Sequence, residues 1–75
     1  MFEKLTADEA AELNRRLNDG YTRSRVYARE CVNVARRTED YESANCLYGM
    51  AVAQAGMRQE ITSIRWQIKA EVLQS

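Results

Sequence analysis

The chain has 75 residues, with 11 basic and 11 acidic side chains, no histidine, no proline, three glycines and two cysteines. A chain of this length is at most one domain and buries only about 60% of its unfolded surface, which excludes a two-domain enzyme. The scarcity of proline and glycine removes most of the turns that a small sandwich or barrel requires. We therefore predict one all-α domain covering residues 1–75.

The first helix is predicted to begin at Thr6. Its hydroxyl can accept from the Glu9 amide while the Glu9 side chain accepts from the Thr6 amide, which is a capping box. An apolar seam then alternates steps of four and three residues and predicts a helix that runs to about residue 37. The seam consists of Leu17, Tyr21, Ser24, Ala28, Cys31 and Ala35. Asn18 to Gly20 is also typical of a helix C-terminus, so a break at Gly20 is the alternative.

The second helix is predicted to follow a turn at Thr38 to Asp40, with Thr38 or Asp40 as its N-cap. Its apolar face is predicted to run to about residue 73, with a break at Gly56 as the alternative. The predicted face consists of Ala44, Leu47, Tyr48, Ala51 and Ala55, and then Met57, Ile61, Ile64, Ile68 and Val72.

The two arms, residues 6–37 and 40–73, have matched lengths and predict an antiparallel helical hairpin. Folding the chain at the turn places Leu17 beside Ile61 and brings Gly20 level with Gly56. Either the two backbones approach closely at the glycines, or both arms bend there to form a compact domain of three or four helices.

A single seam between two helices leaves much of the second arm exposed to water. We therefore predict that the hairpin completes a helical bundle by homo-oligomerisation. The candidate oligomer interface consists of Leu13, Leu17, Met57, Ile61, Ile64, Trp66 and Ile68. Trp66 points away from the isoleucine stripe and is the best single candidate for contact with another molecule.

The neutral total charge conceals a polarised chain. Residues 15–37 carry a net charge of +5, residues 1–14 carry −3 and residues 38–75 carry −2. Six of the seven arginines in this segment fall at two neighbouring heptad positions, away from the predicted seam, and two tyrosines lie in the same segment. Arginine suits carboxylate and phosphate groups, and tyrosine can stack a base or anchor a partner. The candidate partner-binding or anion-binding residues are Arg15, Arg16, Arg23, Arg25, Arg29, Arg36, Arg37, Tyr21 and Tyr27.

Catalysis has little support in this sequence. It has no histidine, no nucleophile beside a plausible base and no glycine-rich phosphate loop, so we predict no enzyme activity and no cofactor. Cys31 and Cys46 are too few for a closed zinc site, and we predict two free thiols and no metal. The apolar runs are too short for a membrane span, and the charged N-terminus is unlike a signal peptide, which predicts a cytoplasmic protein.

Two functional hypotheses follow. The first is a small cytosolic helical interaction protein that acts as a regulator or inhibitor by binding a partner protein; small chains of this kind include products of phages and plasmids. The second is an anion-binding module that uses its arginine and tyrosine face for nucleic acid or a nucleotide. Steep salt dependence, and loss of binding when Arg25, Arg29 and Arg36 become alanine, would distinguish the second from the first.

Overall fold

The computed structural model describes Phe2 and residues 4–73. Two long helices, α1 (Ala7–Arg37) and α2 (Tyr41–Ile68), are followed by a π-helical turn, Lys69–Leu73. The helices lie side by side, joined by a three-residue connection, in a particle of 52 × 16 × 14 Å. The described residues contain no strand. The predicted all-α antiparallel hairpin is confirmed.

The start of α1 is fixed by the predicted capping box. The Glu9 amide donates to Thr6 Oγ1 at 3.1 Å, and the Thr6 amide donates to Glu9 Oε1 at 2.9 Å. The Phe2 amide also donates to Glu71 Oε2 at 3.0 Å, which ties the N-terminal segment to the π-helical turn. Phe2 and the π-helical turn therefore meet at the end of the hairpin opposite the connection.

In the connection, Thr38 caps the end of α1 and Asp40 caps the start of α2. Thr38 ends α1, where its amide donates to the Ala35 carbonyl at 3.2 Å and its hydroxyl donates to the Val34 carbonyl at 2.8 Å. Asp40 is the N-cap of α2 and accepts from the Ser43 amide at 2.9 Å and from the Ser43 hydroxyl at 2.7 Å. Of the two predicted caps, Asp40 is the one that α2 uses.

Both helices continue without a break through their glycines. A Cβ added at Gly20 would lie 3.8 Å from Ile61 Cδ1, which is ordinary contact, and one added at Gly56 would meet nothing within 4 Å. The compact fold-back alternative is therefore wrong, and so is a close approach of the two glycines. An uninterrupted seam on each helix outweighs the cost of about 1 kcal/mol for each helical glycine.

The seam of α1 is the predicted one. Ser24, Ala28, Cys31 and Ala35 are buried, as is Ala10 in the first turn. Ser24 lies opposite Gln54 and bonds to its side chain. This pairing has the same register as the predicted pair of Leu17 and Ile61. The predicted position of the turn therefore gave the correct register between the two helices.

The seam of α2 differs from the prediction. Its buried and half-buried residues also follow steps of three and four, but they include Gln54, Arg58 and Arg65. The residues that follow these steps are Ala44, Leu47, Ala51, Gln54, Arg58, Ile61, Arg65, Ile68 and Val72, and Ile64 beside them is also half-buried. The predicted seam residues Tyr48, Ala55 and Met57 are exposed instead. Polar side chains occupy the seam because α1 offers them hydrogen-bond partners there.

The core of the hairpin is thin. Its buried apolar residues in the described chain are mostly alanine, and the one large side chain that is fully buried is Ile68. Apolar burial stabilises a fold in proportion to area, at about 25 cal/mol per Å². This thin seam leaves several large apolar side chains more than half exposed, among them Val52, Met57 and Trp66.

Candidate functional site

Each helix has two flanks beside its seam, and they differ in chemistry. In an antiparallel pair the residues that precede seam positions such as Ala28 and Ala51 meet on one side. The residues that directly follow seam positions of either kind, such as Ser24 and Ala28, lie on the other side. We name these the apolar flank and the basic flank. The apolar flank is Leu13, Gly20, Tyr27 and Val34 of α1 with Met50, Met57 and Ile64 of α2. The basic flank is Arg25, Arg29, Val32 and Arg36 of α1 with Tyr48, Val52, Ala55, Thr62, Trp66 and Lys69 of α2.

The apolar flank repeats every seven residues on both helices. Tyr27, Val34, Met50 and Met57 are all exposed, and Met57 keeps 52% of its surface accessible. Gly20 lies at the same heptad position, where an added Cβ would contact the side chain of Ile61. Apart from Gly20, this flank is therefore a stripe of large apolar side chains that lies beside the seam rather than within it.

The basic flank contains a groove of about 540 Å³ between the helices near the connection. Its walls carry Arg25, Arg29 and Arg36 from α1 and Arg58 from α2, and its floor is made of small apolar side chains such as Ala28 and Ala55. No acidic residue lines it. Four guanidinium groups thus face one groove without a neighbouring carboxylate.

Two further depressions extend this groove toward the other end of the hairpin. The middle one shares Ala55 and Arg58 with the groove and is bordered by Tyr21. The last shares Thr62 with the middle one and is lined by Arg65, Trp66 and Lys69. The lysine ammonium lies 5.3 Å from the centre of the Trp66 ring. The three depressions form one path along the flank, and none of them is lined by an acidic residue.

Two arginines of α2 are held in place by α1. Arg58 Nη1 donates to the Ser24 carbonyl and hydroxyl, each at 3.3 Å. Arg65 donates from Nε to Asn14 Oδ1 and from Nη1 to Asn18 Oδ1, each at 3.1 Å. These partners are neutral, so both guanidinium groups keep an uncompensated positive charge beside the path.

Arg15 and Arg16 are neutralised within α1. Arg15 pairs with Glu12 at 2.7 Å and Asp19 at 3.4 Å, and Arg16 pairs with Glu12 at 3.1 Å. Hydrogen bonds from Arg15 and Arg16 lower the pKa of Glu12 to about 2. The bond to Glu12 in turn raises the pKa of Arg15. These two arginines are engaged with acidic neighbours and lie away from the groove.

The predicted binding residues separate into groups. Arg25, Arg29 and Arg36 share the groove, whereas Arg23 and Arg37 occupy the heptad position of Arg16, on the outer side of the apolar flank. Tyr21 lies in the seam at the edge of the path, and Tyr27 lies on the apolar flank.

The predicted interface residues also separate. Leu17, Ile61 and Ile68 lie in the seam within the chain, and Ile68 is 0% exposed, so it offers no surface to a second copy. Leu13, Met57 and Ile64 lie on the apolar flank. Trp66 is 64% exposed and lies on the basic flank.

Sequence reasoning predicted only part of the contribution of α2 to the two flanks. Arg58 and Tyr48 line the groove, and Met50 lies on the apolar flank with Val34. A strict heptad register for α2, fixed by Leu47, Ala51 and Ile61, would have found them. Ranking the residues of α2 by hydrophobicity hid that register, because three of its seam positions are polar.

The described residues contain no cluster of three histidine, cysteine or acidic side chains that could hold a metal ion. Cys31 is buried in the seam, Cys46 is exposed, and both are free thiols. Within the described part of the chain, neither helix combines the length and the hydropathy that a membrane crossing demands. Comparison with known proteins finds no matching family model, no matching curated protein and no matching solved structure.

Proposed function

We propose that this chain is a cytosolic helical interaction protein rather than an enzyme, and that it associates through its apolar flank, first of all with a second copy of itself. The observation that supports this most is the exposure of Tyr27, Val34, Met50 and Met57 along one side of the hairpin. Contiguous exposed apolar surface of this kind marks protein interaction sites.

The heptad pattern favours a bundle over an isolated pair of helices. Two apolar positions in seven suffice for a two-stranded seam, whereas helices that face a larger core use three. The apolar flank supplies that third position on both helices. Two hairpins packed flank to flank make a four-helix bundle, and a two-fold axis brings the same stripe to both sides of the interface.

The same flank suits a partner protein that presents a helical surface with the same pattern. Such a partner would compete with the second copy for Val34, Met50 and Met57. A regulator or inhibitor of this type works by occupying that surface, and its effect depends on which of the two complexes is tighter. A capture experiment that uses the chain as bait would identify the partner.

The test compares one substitution on each flank of α2. Folding coupled to association makes the melting temperature rise with protein concentration. Met57→Glu places a charge on the apolar flank and is expected to abolish that rise. Val52→Glu is the matched control, because Val52 is 72% exposed but lies on the basic flank. It is expected to keep the rise. A melting temperature of the unaltered chain that does not depend on concentration, or loss of the rise only in Val52→Glu, would refute the proposal.

A further inference from the structure

The proposed association through the apolar flank does not involve the arginines and aromatic side chains of the basic flank. The hairpin presents its two flanks on opposite sides of the seam, so a second copy on the apolar flank leaves the basic flank open. Arg25, Arg29 and Arg36 are exposed there and form no ion pair within the described residues.

The three depressions of this path share a repeating pattern of one aromatic ring with nearby cations. Tyr48 lies in the groove with the arginines of α1, Tyr21 lies beside Arg58, and Trp66 lies beside Lys69. In the register set by Ser24 and Gln54, Tyr48 lies level with residue 30 of α1 and Trp66 lies level with residue 12. Each ring is therefore nine residues along the hairpin axis from Tyr21, Tyr48 toward the connection and Trp66 away from it. At 1.5 Å per residue, the three rings are spaced at about 13 Å along the hairpin axis.

From this repeat we propose that the basic flank binds single-stranded nucleic acid. Regularly spaced aromatic rings match flat groups in a ligand, and the cations between them match anionic groups. The bases and phosphates of a single strand alternate in this way. Aromatic side chains stack unpaired bases of any sequence while a positive groove follows the backbone. A duplex keeps its bases stacked inside and leaves the three rings without a partner.

An acidic amphipathic helix fits the flank less well. Such a helix needs a continuous apolar floor that accepts large side chains at steps of three and four. The floor near the connection consists mainly of Ala28, Ala51 and Ala55, and the middle depression is lined by polar side chains such as Gln59 and Ser63. The charge is continuous along the path, whereas the apolar floor is not.

Salt dependence gives a quantitative expectation. Four exposed cations line the path, namely Arg25, Arg29, Arg36 and Lys69. Each phosphate contact to a single strand contributes about 0.7 to the slope of log K against log salt, which predicts a slope of about −3. Changing Arg25, Arg29 and Arg36 to alanine leaves one of these cations and predicts a slope of about −1.

The experiment measures fluorescence anisotropy of a labelled oligothymidylate about 16 nucleotides long, at the upper end of known single-strand site sizes. An oligouridylate, a duplex of the same length and poly-glutamate are tested alongside it. Dissociation constants between about 1 and 100 µM are expected for both single strands at physiological salt, with tighter binding at low salt. Tyr48→Leu and Trp66→Leu are each expected to weaken single-strand binding at least about five-fold.

The matched control for the three groove arginines is the triple change of Arg16, Arg23 and Arg37 to alanine. It removes the same charge from α1 on the other side of the helix and is expected to weaken binding much less than the groove triple. Equal weakening by both triples would overturn the inference.

Three other results would also overturn the inference. The first is that neither single strand binds at low salt. The second is that poly-glutamate or the duplex binds as tightly as the single strands, and the third is that the aromatic substitutions have no effect on binding. Circular dichroism melts check that each variant is folded. Sedimentation of the same samples reports association through the apolar flank separately, so failure of one proposal is distinguishable from failure of the other.

Discussion

The hydroxyl of Ser24 donates a hydrogen bond to Gln54 Oε1 at 2.8 Å across the middle of the hairpin. The backbone carbonyl oxygen of Gln54 lies 3.2 Å from the same hydroxyl. Arg58, on the next turn of α2, donates a hydrogen bond to the serine hydroxyl. Such a polar contact within the seam is satisfied in one register only, because sliding either helix leaves these groups without partners. The Ser24 cluster, together with the bonds from Arg65 to Asn14 and Asn18, therefore sets the alignment of α1 and α2.

Ser24→Ala is expected to lower the free energy of unfolding by about 1 kcal/mol. The change removes the hydroxyl that donates to the half-buried Gln54 side chain, and it leaves Arg58 only its bond to the backbone carbonyl of residue 24. The cost of these lost bonds exceeds the gain from the better helix former. Urea denaturation measures the effect. Ser63→Ala is the control, because Ser63 is exposed on α2 and its change should be close to neutral. Equal effects of the two changes would contradict the proposed role of Ser24.

Gly56→Ala is expected to raise the free energy of unfolding by about 1 kcal/mol. Gly56 lies inside α2, and its missing Cβ points into open space. Alanine there removes conformational entropy from the unfolded chain and meets no neighbour. The measurement is again urea denaturation. A destabilised variant would mean that the helix bends or packs closely at this position.

Acid is expected to destabilise the hairpin between about pH 5 and pH 2. Hydrogen bonds from Arg15 and Arg16 lower the pKa of Glu12 to about 2, and hydrogen bonds from Thr6 and Ser43 lower the pKa of Glu9 and Asp40 respectively. Because these carboxyl groups have lower pKa values in the folded chain, their stabilisation is present above the unfolded pKa and is lost as the pH falls through the folded pKa.

Thermal melts followed by circular dichroism at stepped pH values test this dependence. Glu12→Gln should melt at a lower temperature than the unaltered chain at neutral pH and should lose less on acidification. Parallel pH curves for the two proteins would show that the arginine pairs of Glu12 do not contribute.

The two thiols are expected to react at different rates with a maleimide reagent. Cys46 is exposed and should be modified quickly in the native protein. Cys31 is buried between the helices and should react only as the hairpin opens. Mass spectrometry of a time course should show one fast addition and one slow addition that accelerates in urea. Two fast additions would contradict the position of Cys31 in the seam.

The sequence predicted α1 almost residue by residue, and it predicted the hairpin and its register. It did so because the steps of four and three from Leu17 to Ala35 continue through Gly20, and because Asp40 caps the second helix. It did not predict that Gln54, Arg58 and Arg65 lie in the seam of α2. Their partners Ser24, Asn14 and Asn18 become neighbours only once the register is known, so hydrophobicity alone favoured Met57 and Ala55.

The candidate surfaces were predicted only in part, because they too depend on how the two helices pack. The arginines of α1 were evident from charge, but their separation into a groove set and an outer set depends on where α2 packs. Tyr48 and Arg58 join Arg29 in the groove only through the packing of the two helices. The pairing of Arg15 with Glu12 likewise depends on side-chain positions that the sequence leaves open.

Association through the apolar flank is tested most directly by the mass of the particle in solution. Sedimentation equilibrium of the unaltered chain is expected to give twice the chain mass of 8.6 kDa at concentrations near 100 µM, with dissociation on dilution. Met57→Glu is expected to sediment as a single chain at the same concentration. A mass that stays at one chain for the unaltered protein across this range would contradict the account.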